Sequence, residues 1–95
     1  MGGWVDILAS APYGTLYVGV TADLSRRMYE HREGAGSVFT SHYGVHRLVH
    51  IEWFEDIQNA IRREKRLKKW NRRWKIELIE RANPGWDDLY ERLNQ

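Results

Sequence analysis

Apolar positions along this chain fall into short strand-like runs followed by stretches of helical period. Trp4-Val5-Asp6-Ile7-Leu8 and Thr15-Leu16-Tyr17-Val18-Gly19-Val20 are rich in β-branched and aromatic residues, and Ala9-Ser10-Ala11-Pro12-Tyr13-Gly14 between them carries proline and glycine as turn punctuation. The pair predicts a β-hairpin. Thr21 and Asp23 offer N-cap oxygens to a helix from Leu24 to about Arg32, with Gly34 and Gly36 placed to end it. Ser37 to Val45 is polar and glycine-bearing, and reads as a loop. Leu48 to Phe54 alternates loosely and predicts a third strand. Asp56 is placed to cap a second helix from Ile57 to Lys69, and a third covers Trp74 to Arg81. Asn83-Pro84 interrupts there, because the residue before proline is pushed out of the helical region. Asp87 to Leu93 predicts a last short helix. This order describes an α/β (α+β) domain in which the hairpin and third strand share one sheet and helices cover it. The direction of the third strand is not legible in the pattern.

Certain polar residues fall where the periodicity expects apolar ones. At about 100° per residue, Ile57, Ala60, Ile61 and Leu67 define the inward stripe of the second helix, and Glu64 lies within it. A carboxylate there is costly to bury unless a cation, a metal or a hydrogen bond compensates. On the first helix, Arg27 and His31 project on the side of Leu24 and Met28 at an i, i+4 spacing. On the second strand, Tyr17 and Gly19 point to the face opposite Leu16, Val18 and Val20. Arg27, His31, Glu64 and Tyr17 are therefore expected to converge beside the hairpin, an acid, a cation, an imidazole and a phenol together. Each also has a plainer reading: Arg27 and Glu64 as a structural ion pair, His31 as a core histidine, Tyr17 as core packing.

Composition narrows the alternatives. The chain has 95 residues, one domain's worth spanning 1–95, and lacks cysteine, which excludes disulfides and thiolate metal sites. No hydrophobic leader opens it and no apolar run approaches membrane-spanning length, so a soluble, cytoplasmic protein is expected. The net charge is only +2, but nine of the fifteen Lys and Arg residues fall between Arg62 and Lys75, with Glu64 the lone acid among them. Such clustering is the footprint of a phosphate-rich partner, or else a solvated helix face. His42, His46 and His50 recur every four residues, but Gly44 and the loop character of the segment make that spacing accidental. Glycine-rich phosphate loops and serine nucleophile elbows are absent.

Several of these motifs, in order, resemble a known family. Leu16-Tyr17-Val18-Gly19-Val20-Thr21 followed by Asp23-Leu24-Ser25-Arg26-Arg27-Met28-Tyr29-Glu30-His31 resembles the second half of the GIY-YIG nuclease signature. Ala60-Ile61-Arg62-Arg63-Glu64-Lys65 resembles the helix carrying that family's metal-binding glutamate. Lys68-Lys69-Trp70 and Asn83-Pro84-Gly85-Trp86 resemble features of its small stand-alone bacterial branch. The resemblance implies a three-stranded sheet flanked by helices, and an endonuclease that hydrolyses phosphodiester bonds in single- or double-stranded DNA with one divalent cation, Mg2+ or Mn2+. It implies Tyr17 as the tyrosine of the YIG half, Arg27 as the contact to the scissile phosphate, His31 one turn later, and Glu64 as the metal ligand. The resemblance also implies Asn83 as the counterpart of an asparagine found late in several members. Arg26, Arg63, Lys65, Lys68, Lys69, Arg72 and Arg73, with Trp70 and Trp74 interleaved, are candidates to hold the nucleic-acid backbone, the tryptophans being equally open to core packing.

One position departs from the pattern. The GIY half places a tyrosine where this chain has Asp6, an unfavourable residue for a strand interior. Asp6 is open to three readings: a base in its own right, an extra metal ligand, or an inactivating substitution. Three functional classes follow: a metal-dependent endonuclease, a catalytically inactive nucleic-acid-binding module of the same fold, and a structural domain whose polar cluster is an ion-pair network.

Overall fold

The computed structural model describes residues 1–32 and 44–93. Among them, three strands form one antiparallel sheet: β1 (Gly3–Ala9), β2 (Leu16–Thr21) and β3 (Arg47–Phe54), in the order β2-β1-β3. The helices are α1 (Leu24–Arg32), between β2 and β3 in the chain, and α2 (Ile57–Lys69), α3 (Arg72–Ala82) and α4 (Tyr90–Leu93) after β3. Gly34, Gly36 and most of the expected loop, His42 included, lie outside the described residues. His46 precedes β3 in irregular backbone and His50 lies within the strand, so these two share no helical face.

β1 is the central strand and is covered on both sides. That is why its residues are apolar on both faces, Asp6 excepted, rather than alternating. Val5, Ile7 and Ala9 turn to one face, where they pack with Val18, Val49, Ala60, Leu67, Ile79 and Trp86. Leu8 turns to the other, packing with Leu24, Met28, Val45 and Leu48, while Trp4, Tyr17 and Ile51 lean on the same cluster. Helices α2 and α3 therefore cover one face of the sheet and α1 the other. Asp6 shares the face of Trp4 and Leu8, and is fully buried.

Caps set the helix boundaries. The Asp23 carboxylate accepts from Arg26 N at 3.2 Å, and that of Asp56 from Gln58 N at 2.9 Å. Asn71 Oδ1 accepts from Trp74 N at 2.9 Å, which lets α3 begin at Arg72, two residues before the apolar period expects. The last helix is shorter than its sequence predicts. Leu89 N donates to Leu48 O at 2.7 Å, and Asp88 Oδ1 accepts from both Leu48 N and Tyr90 N. Residues 88 and 89 are thus spent on β3, and the helix begins only at Tyr90.

A bulge separates the two halves of β3. Ile7 faces His50 but Leu8 faces Leu48, leaving Val49 as the extra residue. Beyond the bulge, His50 and Glu52 lie opposite Ile7 and Val5, on the α2 side. In the β1–β2 turn, Tyr13 adopts φ 59 and is held in that left-handed conformation by α3: its hydroxyl donates to Glu80, its ring packs 5.0 Å from Trp86, and Arg72 donates to the Gly14 carbonyl at 2.7 Å.

Candidate active site

Asp6 sits at the middle of the central strand, directly across from Gly19 on β2. Arg27 comes down from α1 over Gly19 and places Nε 2.8 Å from Asp6 Oδ2 and Nη2 3.4 Å from Oδ1. The approach depends on glycine. A Cβ at position 19 would lie 2.0 Å from Arg27 Nη2 and 2.7 Å from Cζ. The contact is one of charge more than of aligned hydrogen bonding, since Asp6 Oδ2 and Arg27 Nε make no hydrogen bond of good geometry. Burial pushes the Asp6 carboxyl above the usual carboxylate range; Arg27 opposes that rise, and the negative charge of Glu64 adds to it.

Around this pair stand the other expected residues. Arg27 lies 5.8 Å from the centre of the Tyr17 ring, and Tyr17 and His31 rings are 6.5 Å apart. His31 is buried; burial first, then the charges of Arg27 and His46, lower its pKa and favour the neutral imidazole. One side of Arg27 opens to solvent through a cleft of about 350 Å³ lined by Thr21, Ala22, Asp23, Arg26, Arg27 and Glu30. Asp6, Tyr17, Arg27 and His31 are thus together on the α1 face.

Glu64 arrives differently. It projects from α2, the helix on the opposite face, and its carboxylate pairs with Lys68 Nζ at 3.2 Å with its side chain only 13% exposed. Its charge reaches the Asp6 carboxyl, but the close partner of Arg27 is Asp6. Asn83 is also buried, with its amide committed to backbone: Nδ2 donates to Val49 O and Asp87 O, and Oδ1 accepts from Asp87 N.

The basic segment divides into inward and outward cations. Arg63 grips Glu52 through Nε at 2.8 Å and Nη2 at 3.1 Å, and lies over the Trp70 ring. Arg72 is turned onto the β1–β2 turn. Arg26 and Arg73 pair with Glu30 and Glu77 along their own helices, both largely exposed. Lys65, Lys68 and Lys69 are exposed on α2.

The cluster around Glu52 was not among the groupings expected from the sequence. Strand parity could have signalled it, because an acid two residues from His50 shares its face. His50 Nε2 donates to Glu52 Oε2 at 2.8 Å. Burial pushes the Glu52 carboxyl up, but the hydrogen bonds from His50 and Arg63 outweigh it and hold the pKa at about 2, against an ordinary 4.5. A depressed carboxylate stabilises the fold fully above its unfolded pKa and loses that contribution as pH falls through the folded one. Urea unfolding from pH 7 to pH 2 should therefore show about 1–2 kcal/mol more loss in the wild type than in Glu52→Gln, concentrated between about pH 4.5 and pH 2, after discounting for partial solvent exposure. Parallel curves for the two proteins would show that Glu52 contributes nothing.

A three-stranded antiparallel sheet with an arginine and a carboxylate brought in by flanking helices is the framework of one nuclease class, and comparison with known proteins agrees. The model of the GIY-YIG catalytic domain matches residues 3–77, and the chain belongs to that family. Membership supports a nuclease-type function. Among its relatives, the UPF0213 protein of Clostridium perfringens is 38% identical over 80 residues, covering 84% of this chain and 86% of that one. The UPF0213 protein of Syntrophus aciditrophicus is 35% identical over 71 residues, covering 74% and 80%. The solution NMR structure of the UPF0213 protein BH0048 from Bacillus halodurans matches with a TM-score of 0.58 and 32% identity, over 93% of both chains. Among the described residues, no helix is long and apolar enough to cross a membrane.

Proposed function

We propose that this protein is a divalent-metal-dependent endonuclease that hydrolyses phosphodiester bonds in DNA, with Arg27 at the scissile phosphate and Asp6 restraining it. The observation that carries this reading is the delivery of a guanidinium, across a strand position that tolerates no side chain, to a fully buried carboxylate by an arginine that also lines an open cleft. A structural ion pair needs no such opening to solvent.

The carboxylates at hand suit a metal ion that stays largely hydrated. Among the described residues, no group of three or more His, Cys, Asp or Glu side chains is placed to hold one. A Mg2+-type ion keeps most of its waters and binds through one or two carboxylates, so Glu64, partly buried and acidic within a basic segment, fits that pattern. Glu64, whose charge reaches Asp6 beside Arg27, would hold such an ion, which would supply Lewis-acid neutralisation of the phosphate and activation of water. Arg27 binds and orients the phosphate by its planar fork and offsets charge that builds on the phosphoryl oxygens. Tyr17, lying beside that guanidinium, and His31, kept neutral, are the groups placed to take a proton from the attacking water or pass one on. Exposed cations on α1 and α2, including Arg26, Lys65 and Lys69, hold the flanking backbone.

The test is incubation of purified protein with single- and double-stranded DNA, with Mg2+ or Mn2+ and with chelator. Cleavage should require the ion and fall about 10²–10³-fold in Glu64→Gln. Cleavage undiminished by chelator or by Glu64→Gln contradicts the reading. A second reading, an inactive nucleic-acid-binding module, is favoured by the neutralisation of Arg27 by Asp6. Binding without cleavage in the wild type, with cleavage restored in Asp6→Tyr, would establish it.

A further inference from the structure

The face of the sheet that carries Asp6 continues, toward the N-terminal end of β1, into a pair of tryptophans. Trp4 and Trp53 are cross-strand partners with ring centres 5.0 Å apart and planes tilted by 55°. Trp4 is half-buried, whereas Trp53 is 52% exposed. The exposed ring is nevertheless held in place. The backbone of Gly2 lies against it so closely that a Cβ there would come within 2.1 Å of Trp53 Cη2, and the adjoining Met1 carbonyl accepts from Ile57 N at 3.0 Å. A large apolar ring, fixed and still open to solvent, is pre-organised to stack on a flat partner.

Its position says which partner. Trp4 is two residues from Asp6 on the same strand face, about 7 Å along the strand. On the other side it pairs with Thr21, the first residue of the cleft that leads to Arg26 and Arg27. Indole surface and guanidinium charge therefore share one face of the sheet, with Trp4 on the central strand between Trp53 on β3 and the β2 position, Gly19, over which Arg27 passes. That is the complement of a nucleotide, with a π-faced base beside an anionic phosphate.

We propose that Trp4 and Trp53 form a base-stacking subsite for an unpaired nucleotide adjoining the phosphate held at Arg27. The proposal rests on the reading of Arg27 as the phosphate contact, and it adds a requirement that reading does not contain. A base within a duplex has both faces covered by its neighbours, so only a flipped, frayed or single-stranded nucleotide reaches the platform. Stacking is indifferent to base identity, and the subsite is accordingly blind to sequence.

The experiment is a titration of the full chain with a short single-stranded DNA carrying 2-aminopurine, whose emission is quenched on stacking, alongside cleavage of the same oligonucleotide. Calcium replaces magnesium in the titration to hold the substrate intact. The wild type should quench the probe. Trp53→Ala should lose the quench and bind about tenfold more weakly, and Trp53→Phe should recover most of both. Arg27→Lys should keep the quench while cleavage falls, which separates stacking from the phosphate contact. Quenching by a wild type that does not cleave would overturn the endonuclease reading and leave the platform standing. Cleavage by a wild type whose affinity and probe emission are unchanged in Trp53→Ala would overturn the platform alone. A change of oligomeric state in Trp53→Ala, seen by sedimentation with no effect on the probe, would reassign the surface to contact between copies of the chain and also overturn the proposal.

Discussion

Replacing Arg27 with alanine should reduce kcat/KM for DNA cleavage by about 10²–10³-fold, the usual cost of removing a pre-organised group that stabilises developing charge. The same variant strips Asp6 of its cation. Breaking a buried ion pair from one side costs on the order of 3 kcal/mol of stability. Loss of activity in Arg27→Ala alone would thus mix chemistry with unfolding. Two companions separate them. The double variant Asp6→Asn/Arg27→Ala leaves no orphaned charge, and should recover folding stability in urea while remaining inactive. Gly19→Ala leaves both charges but puts a methyl where the guanidinium passes. Because the clash is with the end of a flexible side chain, the arginine moves and the fold survives. Cleavage should fall about tenfold or more in Gly19→Ala, with a smaller loss of stability than in Arg27→Ala because the displaced cation stays near Asp6. Full activity in Gly19→Ala would show that the position of Arg27 over the strand is irrelevant to catalysis.

The second large effect runs the other way. At an effective dielectric of about 20, charges 2.8 Å apart attract by roughly 6 kcal/mol before desolvation is counted. A substrate phosphate must compete with that attraction for the same guanidinium. Asp6→Asn removes the charge and keeps an oxygen for Arg27 Nη2, so kcat/KM should rise about tenfold, the equivalent of 1.4 kcal/mol. Asp6→Tyr, which restores the residue that the family signature places at this position, should act in the same direction. Stability should fall less in Asp6→Asn than in Arg27→Ala, because the group left unpaired is then Arg27, which lines the open cleft, and loss of an unfavourably buried carboxylate offsets part of the lost pair. A fall in activity on Asp6→Asn, measured under single-turnover conditions, would mean that the carboxylate takes part in the reaction.

Much of this framework was legible in the chain because local signals agreed with one another. The β-branched and aromatic residues of β1 announced a strand, and the turn residues after it announced the hairpin. Parity along β2 placed Tyr17 and Gly19 on the face opposite Val18, where the structure has them. Helical period on α2 identified Ala60 and Leu67 as buried and Glu64 as an intruder among them. What escaped were contacts fixed by three-dimensional pairing. Periodicity shows that Arg27 and Glu64 each turn inward, but not that their helices lie on opposite faces of the sheet. Asp6 was visible as a misfit, yet its partner lies 21 residues on and is reached only through the register that sets Gly19 opposite it. Arg63 counted as one cation in a basic run, whereas the bulge at Val49 and the strand beyond it hand Arg63 to Glu52. Trp53, on an edge strand, was one more β-former in the chain and becomes a half-exposed ring beside the site only once β3 is paired with β1.

The most direct measurement of the central claim, that Asp6 holds back the guanidinium that acts on the phosphate, is a double-mutant cycle on cleavage. Single-turnover rates are compared for the wild type, Asp6→Asn, Arg27→Lys and the double variant. The two substitutions should be strongly non-additive: Asp6→Asn speeds cleavage about tenfold when Arg27 is present and by less than about twofold when it is lysine, whose point charge lacks the planar fork. An equal gain from Asp6→Asn in both backgrounds would mean that the carboxylate acts independently of Arg27 and does not restrain it.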